Sequence, residues 1–458
     1  MRKIVNWMLA AILVCGATVL TSCSNSEDNP TPDSKKNRKE FIEHTRKNLK
    51  ELAGNLNFST WKSINLFNRN FNEYVLLNDN FDKTLSRTLR DETRKSITPL
   101  PADIAEKYGE KYVATINLAD FDYIFTATET GFEVTPNPED GMIMELIDPQ
   151  MPEQSVRISI IGSGEEYAQV AERLNNDSVA TIIKYPTHYD FTLSAKRGDE
   201  WVAAMTISTD LNIVKGEYPE EMPADATDIK KDTWNLQGTV KTSIPGDDVE
   251  MAFNIGQDPR SHKSGMTFDY IHNSKKMISL TAELSNANGL TDLSQMTSSN
   301  SIMDIFSAIA AGNSIDILHL TLLDDLTTTL KVSDCQKVME LQSAMAHARR
   351  NYADQQTIEG YVSQLNQLIS GSMTCAYHNQ VIPMRLATTK IGVDWWAAPA
   401  LNFAGESGFV PITDILDKES MEYGLNIIDH AAEPMQQSII TVRQTLKALQ
   451  KLIENLKK

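Results

Sequence analysis

The chain reads as an α+β protein, with a large antiparallel β-sheet of hairpins and meanders and with N-terminal and C-terminal helices packed on one face. Three observations predict this. Apolar and polar residues alternate through most of residues 110–300, which is the period of half-buried strands. Short turns join the alternating runs, and only antiparallel neighbours can be joined so tightly, because parallel ones need crossovers of about a dozen residues. At both ends of the chain the apolar spacing changes to three and four residues, the period of helices.

In chain order, residues 1–22 open with Arg2 and Lys3, followed by an apolar run from Trp7 to Leu20. A positive start and an apolar stretch shorter than the roughly 20 residues of a membrane span have the form of a secretory leader. The run closes on Leu20-Thr21-Ser22-Cys23, which resembles the lipobox of bacterial lipoproteins. That resemblance implies that residues 1–22 are removed. Cys23 then becomes the first residue and carries acyl chains on its sulfur and its new amino group. Each buried acyl CH₂ contributes about 0.8 kcal/mol, so several chains together anchor durably. Ser24, where inner-membrane retention would call for Asp, implies the outer membrane by the same resemblance. Ser24-Asn25-Ser26-Glu27-Asp28 is similar to the acidic export signal of surface lipoproteins of the Bacteroidota type, and implies surface display.

Residues 23–34 then form an acylated polar tether. It contains Pro30 and Pro32 and spans roughly 35 Å when extended. Residues 35–96 are predicted to be helical. Phe41, Thr45, Leu49 and Leu52 share one face, and Gly54-Asn55 breaks that helix. A second helix carries Trp61, Ile64, Phe67, Phe71 and Tyr74, and a third carries Phe81, Leu85 and Leu89. Ser96 to Pro101 reads as a linker. Strands follow at Tyr112–Leu118, Phe121–Ala127, Met142–Leu146 and Val156–Ile160, with a short helix expected within Gly162–Asn176. Further hairpins turn at Lys196-Arg197-Gly198-Asp199, at Pro245-Gly246-Asp247-Asp248 and at Asn273-Ser274.

Residues 301–458 form an α/β C-terminal region. A short helix near Ile302–Ala311 precedes a hairpin turning at Asp324-Asp325. Two helices follow, one from an Asp334 cap to Arg350 and one from Asp354 to Ser370, stopped by Gly371. Strand-like runs return around Met384 and Trp396. Ile439, Val442, Leu446, Leu449, Ile453 and Leu456 then outline a long amphipathic terminal helix, too short in heptads for a coiled coil. A monomer is the expected state.

The net charge of −18 becomes −20 once Arg2 and Lys3 leave with the leader, and the pI is near 4.9. Such acidity argues against nucleic-acid binding and against an electrostatic hold on anionic lipid, both of which need basic surface. Beyond Cys23 the mature chain has two cysteines, Cys335 and Cys375. They are too few for a cysteine-built zinc site, but an antiparallel helix pair between them would make them a candidate disulfide. No His-Glu-x-x-His, Gly-x-Ser-x-Gly, P-loop or calcium loop occurs. No catalytic residue, cofactor-binding residue or metal ligand is therefore assigned. His188, His262 and His272 read as ordinary histidines. Asp120-Phe121-Asp122 is too common a pattern to argue chemistry. Trp395-Trp396 is a candidate stacking platform, since neighbouring strand residues point to opposite faces.

The body resembles lipoprotein families of unassigned function, and that resemblance supplies no active residues. The first expectation is a non-enzymatic binding or assembly module, lipid-anchored at the outer membrane, with a protein or glycan partner. Two alternatives stand beside it. One is an apolar-ligand carrier with a helix-covered curved sheet, and the other a glycan-acting enzyme with dispersed carboxylates.

Overall fold

The computed structural model describes residues 32–55, 79–99, 102, 112–147, 155–171, 179–214, 233–244, 247–258, 261, 263–286, 313–375, 380–391 and 393–415. The architecture is α+β, dominated by a large and mostly antiparallel sheet. The chain forms two compact units. One comprises residues 1–58, 253–291 and 299–436, and the other residues 59–252, 292–298 and 437–458. Each has its own strands, and among the described residues three α-helices belong to the first unit and one long α-helix to the second. Among the described residues, no helix is long and apolar enough to cross a membrane. The predicted helices at Trp61–Val75, Ile302–Ala311 and Ile439–Leu456 lie outside the described residues.

The first unit opens with helix α1 (Pro32–Asn55). Phe41, Thr45, Leu49 and Leu52 are all buried, as their spacing predicts. The helix begins three residues earlier than expected, because proline is well suited to a first turn that needs no backbone N–H. In the second unit, helix α2 (Asp79–Lys95) buries Phe81, Leu85 and Leu89. Its first turn carries Asp79 and Asp82 and its last turn Arg94 and Lys95, which complements the helix dipole. Phe81 meets Phe125 and Phe132 edge-on at 5.5 and 5.3 Å.

The second unit's strands are β1 (Ile97–Pro99), β2 (Tyr112–Asn117), β3 (Tyr123–Thr128), β4 (Gly131–Pro136), β5 (Met142–Leu146), β6 (Val156–Ala171), β7 (Val179–Arg197), β8 (Glu200–Val214) and β9 (Thr233–Ile244). From β5 to β9 each strand pairs antiparallel with the next. Two pairings are parallel, β2 with the start of β7 and β3 with β5. Purely antiparallel pairing had been expected, but long intervening segments make these crossovers available. The expected linker at Ser96–Pro101 instead contributes β1, which pairs with β2. The expected helix after Gly162 is strand as far as Ala171, where its register with β7 continues to Thr181. The register with β7 shifts between Ser163 and Glu166, which interrupts the alternation, and at Gly162 a side chain would meet the Pro186 ring at 2.4 Å. The division between the units falls inside β10 (Asp247–Asp258).

In the first unit, β11 (Lys263–His272), β12 (Lys275–Asn286), β13 (Asn313–Leu322), β14 (Leu326–Val332), β15 (Ile369–Cys375), β16 (Gln380–Ile391), β17 (Asp394–Leu401) and β18 (Val410–Pro411) form one antiparallel meander. Asn273 and Ser274 hold φ of 48° and 62°, the left-handed pair that a two-residue hairpin needs. The register aligns Phe268, Leu280, Leu320, Thr328, Met373 and Ile382 in one row, all buried. The adjacent row runs from Thr267 through Thr281, His319, Thr329 and Ser372 on the wetter face. One sheet face is thus core and the other hydroxyl-rich.

Helices α3 (Cys335–Arg350) and α4 (Gln355–Leu368) are inserted between β14 and β15. Asp334 and Asp354 cap them by accepting from the backbone N–H of Lys337 and Thr357 at 2.8 and 2.9 Å. Val338, Leu341 and Met345 of α3 and Ile358, Val362 and Leu365 of α4 are buried, as predicted. Gly371 is not a helix stop. It lies inside β15, where a Cβ would stand 2.7 Å from both Leu330 Cδ2 and Met384 Cε.

Candidate functional site

The two cysteines are free and buried, which sets aside the candidate bridge. Ile369 pairs with Val332 at one end of β14, and Cys375 pairs with Leu326 at the other. Six strand residues separate those levels, about 20 Å at 3.3 Å each, whereas a disulfide needs Cα atoms within about 7 Å. Sequence spacing had put Cys375 just past the helix stop. The strand that starts at Ile369 instead carries it to the opposite end of the sheet. Burial pushes the Cys335 thiol up to about 11 and the Cys375 thiol up to about 12, so neither is a poised nucleophile. Cys23 lies outside the described residues.

Trp395 and Trp396 open β17 and are both half-buried. Each carries a cation that sequence reasoning missed. The Arg349 guanidinium, in the last turn of α3, lies over the Trp396 ring. Lys390, directly across the strand pair from Trp395, holds its ammonium 5.5 Å from that ring. Burial pulls Arg349 down to about 10, partly opposed by the charge of Asp394. The tryptophans are therefore already stacked, on charge rather than on ligand. Beyond α3, Tyr352 is 82% exposed, and in the β16–β17 turn Val393 is 81% exposed. Lys390 was readable as a cross-strand partner only once the register was known, and Arg349 only once α3 was docked.

An apolar cavity of about 60 Å³ lies between the helix pair and the sheet, lined by Ile315, Val332, Met345, Leu365, Met384 and Pro399 among others. Ligand pockets run from roughly 300 to 1,000 Å³, so this space suits a packing defect better than an acyl chain.

In the second unit, His188 stands between two carboxylates. Its Nδ1 is 2.6 Å from Asp210 Oδ1 and its Nε2 is 3.1 Å from Asp190 Oδ2. Asp190 follows by two residues on the same strand face, and Asp210 is the direct partner of His188 in β8. Hydrogen bonding to Asp210, then to Asp190, raises the imidazole against the opposing effect of burial. Only the imidazolium form donates from both nitrogens, so the two carboxylates favour the charged ring, in line with its raised pKa. Among the described residues no cluster of His, Cys, Asp and Glu is arranged to hold a metal ion.

The aspartates of Asp120-Phe121-Asp122 are structural. Asp120 accepts from the Asn117 side chain at 3.0 Å, and Asp122 accepts from the Gly141 N–H at 2.6 Å. Both interactions hold the turns around β3. No family model, curated protein or solved structure matches this chain.

Proposed function

We propose that the protein is a lipid-anchored outer-membrane lipoprotein, displayed at the cell surface, whose folded body is a non-enzymatic binding or assembly module. The observation that carries this reading is Leu20-Thr21-Ser22-Cys23 at the end of a short apolar leader. Only eight residues separate Cys23 from α1, which begins at Pro32. An acylated Cys23 would therefore hold the body close to a membrane without taking part in its fold.

The body's polar clusters favour a binding role over catalysis. The carboxylates of Asp120, Asp122, Asp190 and Asp210 are engaged in turns or ion pairs. Beside the cation-covered tryptophans, the exposed side chains of Tyr352 and Val393 offer apolar surface to a protein or glycan partner. Metabolic labelling with a fatty acid tests the anchor. Label is expected on the natural chain and absent from Cys23→Ser. Protease added to intact cells tests display, with digestion expected; complete protection would overturn surface exposure.

A further inference from the structure

Helix α1 departs from the charge of the rest of the chain. Its 24 residues hold seven Lys or Arg against four Asp or Glu, within a protein of net charge −18. The way these charges are sorted around the helix matters more than their number. Phe41, Thr45, Asn48, Leu49 and Leu52 are buried. The exposed positions between Lys36 and Lys50 are Lys36, Lys39, Glu43, Lys47 and Lys50. Their spacing of three, four, four and three residues places them on one helical face. Four of the five are lysines, and at 1.5 Å per residue the stripe is about 21 Å long. Lys36 and Lys39 have only loose contacts, at 4.0 and 3.8 Å, with Glu40 and Glu43. Exposed pairs of that kind contribute little and leave the cations available.

The opposite face is fixed to the first unit. Phe41 packs edge-on against Phe403 at 5.4 Å. Arg38 pairs with the buried Glu406 at 3.5 Å. His44 contacts Asp325, Asn48 donates to the same carboxylate, and Lys275 pairs with Glu51. The lysine stripe is therefore held outward by the packing behind it.

We infer that α1 is a second membrane contact, with Lys36, Lys39, Lys47 and Lys50 docking on anionic, phosphate-bearing lipid headgroups of the membrane that Cys23 enters. This rests on the lipoprotein reading above. Two facts select a lipid surface as the occupant. Nine Cα steps from Cys23 to Pro32 reach at most about 30 Å, so an acylated chain keeps this helix beside the bilayer at high effective concentration. Charge complementarity does the rest, because lysines in a row match a layer of phosphates, and a basic patch commonly supplements an acyl anchor. The acidity of the whole chain does not oppose this. Charges further away than a Debye length, about 8 Å at physiological salt, are screened.

The test uses the chain from residue 23 onward with Cys23→Ser, which lacks leader and acyl group but keeps every residue of the folded body. It is floated with vesicles of phosphatidylcholine alone, or of phosphatidylcholine mixed three to one with phosphatidylglycerol. Binding is expected to the mixed vesicles only, with release by about 0.5 M salt. Each Lys→Gln change at positions 36, 39, 47 and 50 is expected to weaken it about fivefold. Failure to bind the mixed vesicles overturns the inference, as does equal binding by the natural and Lys→Gln proteins. Circular dichroism checks that the variants fold; if they do not, the salt titration of the unsubstituted protein decides. Fatty-acid labelling of Cys23 is read separately, so loss of the anchor reading and loss of the docking reading give different results.

Discussion

At the scale of single residues, His188 is the clearest conditional interaction. Its two ring nitrogens reach Asp210 and Asp190, and both contacts are strongest when the ring is charged. The hydrogen bond to Asp210 is the largest influence raising its pKa above the ordinary 6.5. A histidine whose pKa is higher folded than unfolded stabilises the fold in full below the unfolded value. That contribution fades as pH rises through the folded value. His188→Gln should therefore lower the melting temperature more at pH 5.5 than at pH 9. An equal deficit at both pH values would mean that the ring acts by packing alone. The sequence reading missed this cluster. His188 reads as an ordinary histidine ahead of a strand starting at Phe191, and only the extension of β7 back to Val179 puts Asp190 on its face. Asp210 could be placed only through the pairing of β7 with β8, which no local pattern reveals.

At the scale of elements, the boundary between local and non-local information explains what was legible. The starts of α3 and α4 and their inward residues as far as Leu365 followed from Asp334, Asp354 and three-to-four spacing, all contained in the helices themselves. Ile369, read as inward on α4, instead opens β15. The cysteine bridge and the Gly371 stop both failed because they depended on where β15 goes after α4. That is set by its pairing with β14 and β16. The α1 stripe was missed for another reason. Its apolar face was read, while the charged face was averaged into the whole chain. Gly371 gives β15 a direct test. Its position lets Leu330 and Met384 close over the strand, and a Cβ would stand 3.1 Å from Thr329 O as well. Gly371→Ala is expected to destabilise the first unit by about 1–3 kcal/mol, as overpacking does. Chemical denaturation measures it. A neutral result would show that the Met384 side chain yields and that the approach is not tight.

At the scale of the whole molecule, the lipoprotein reading proposed above assigns address and fold to different parts of the chain. The contacts that seat α1 include those of Arg38 and Phe41, well past Cys23. An acyl group at Cys23 would add membrane affinity without adding any contact within the fold. Cys23→Ser should accordingly move the protein from the membrane to the soluble fraction. Its melting temperature should change by less than about 2 °C, the effect expected of a surface change within about 0.5 kcal/mol. A larger fall would mean that the acylated end packs on the body and that anchor and fold are one structure. Salt adds a finer distinction. If the lysine face of α1 also holds the membrane, a residual fraction of the Cys23→Ser protein should remain membrane-bound in low salt and wash off in high salt, as electrostatic contacts do. An acyl anchor acting alone predicts no such fraction.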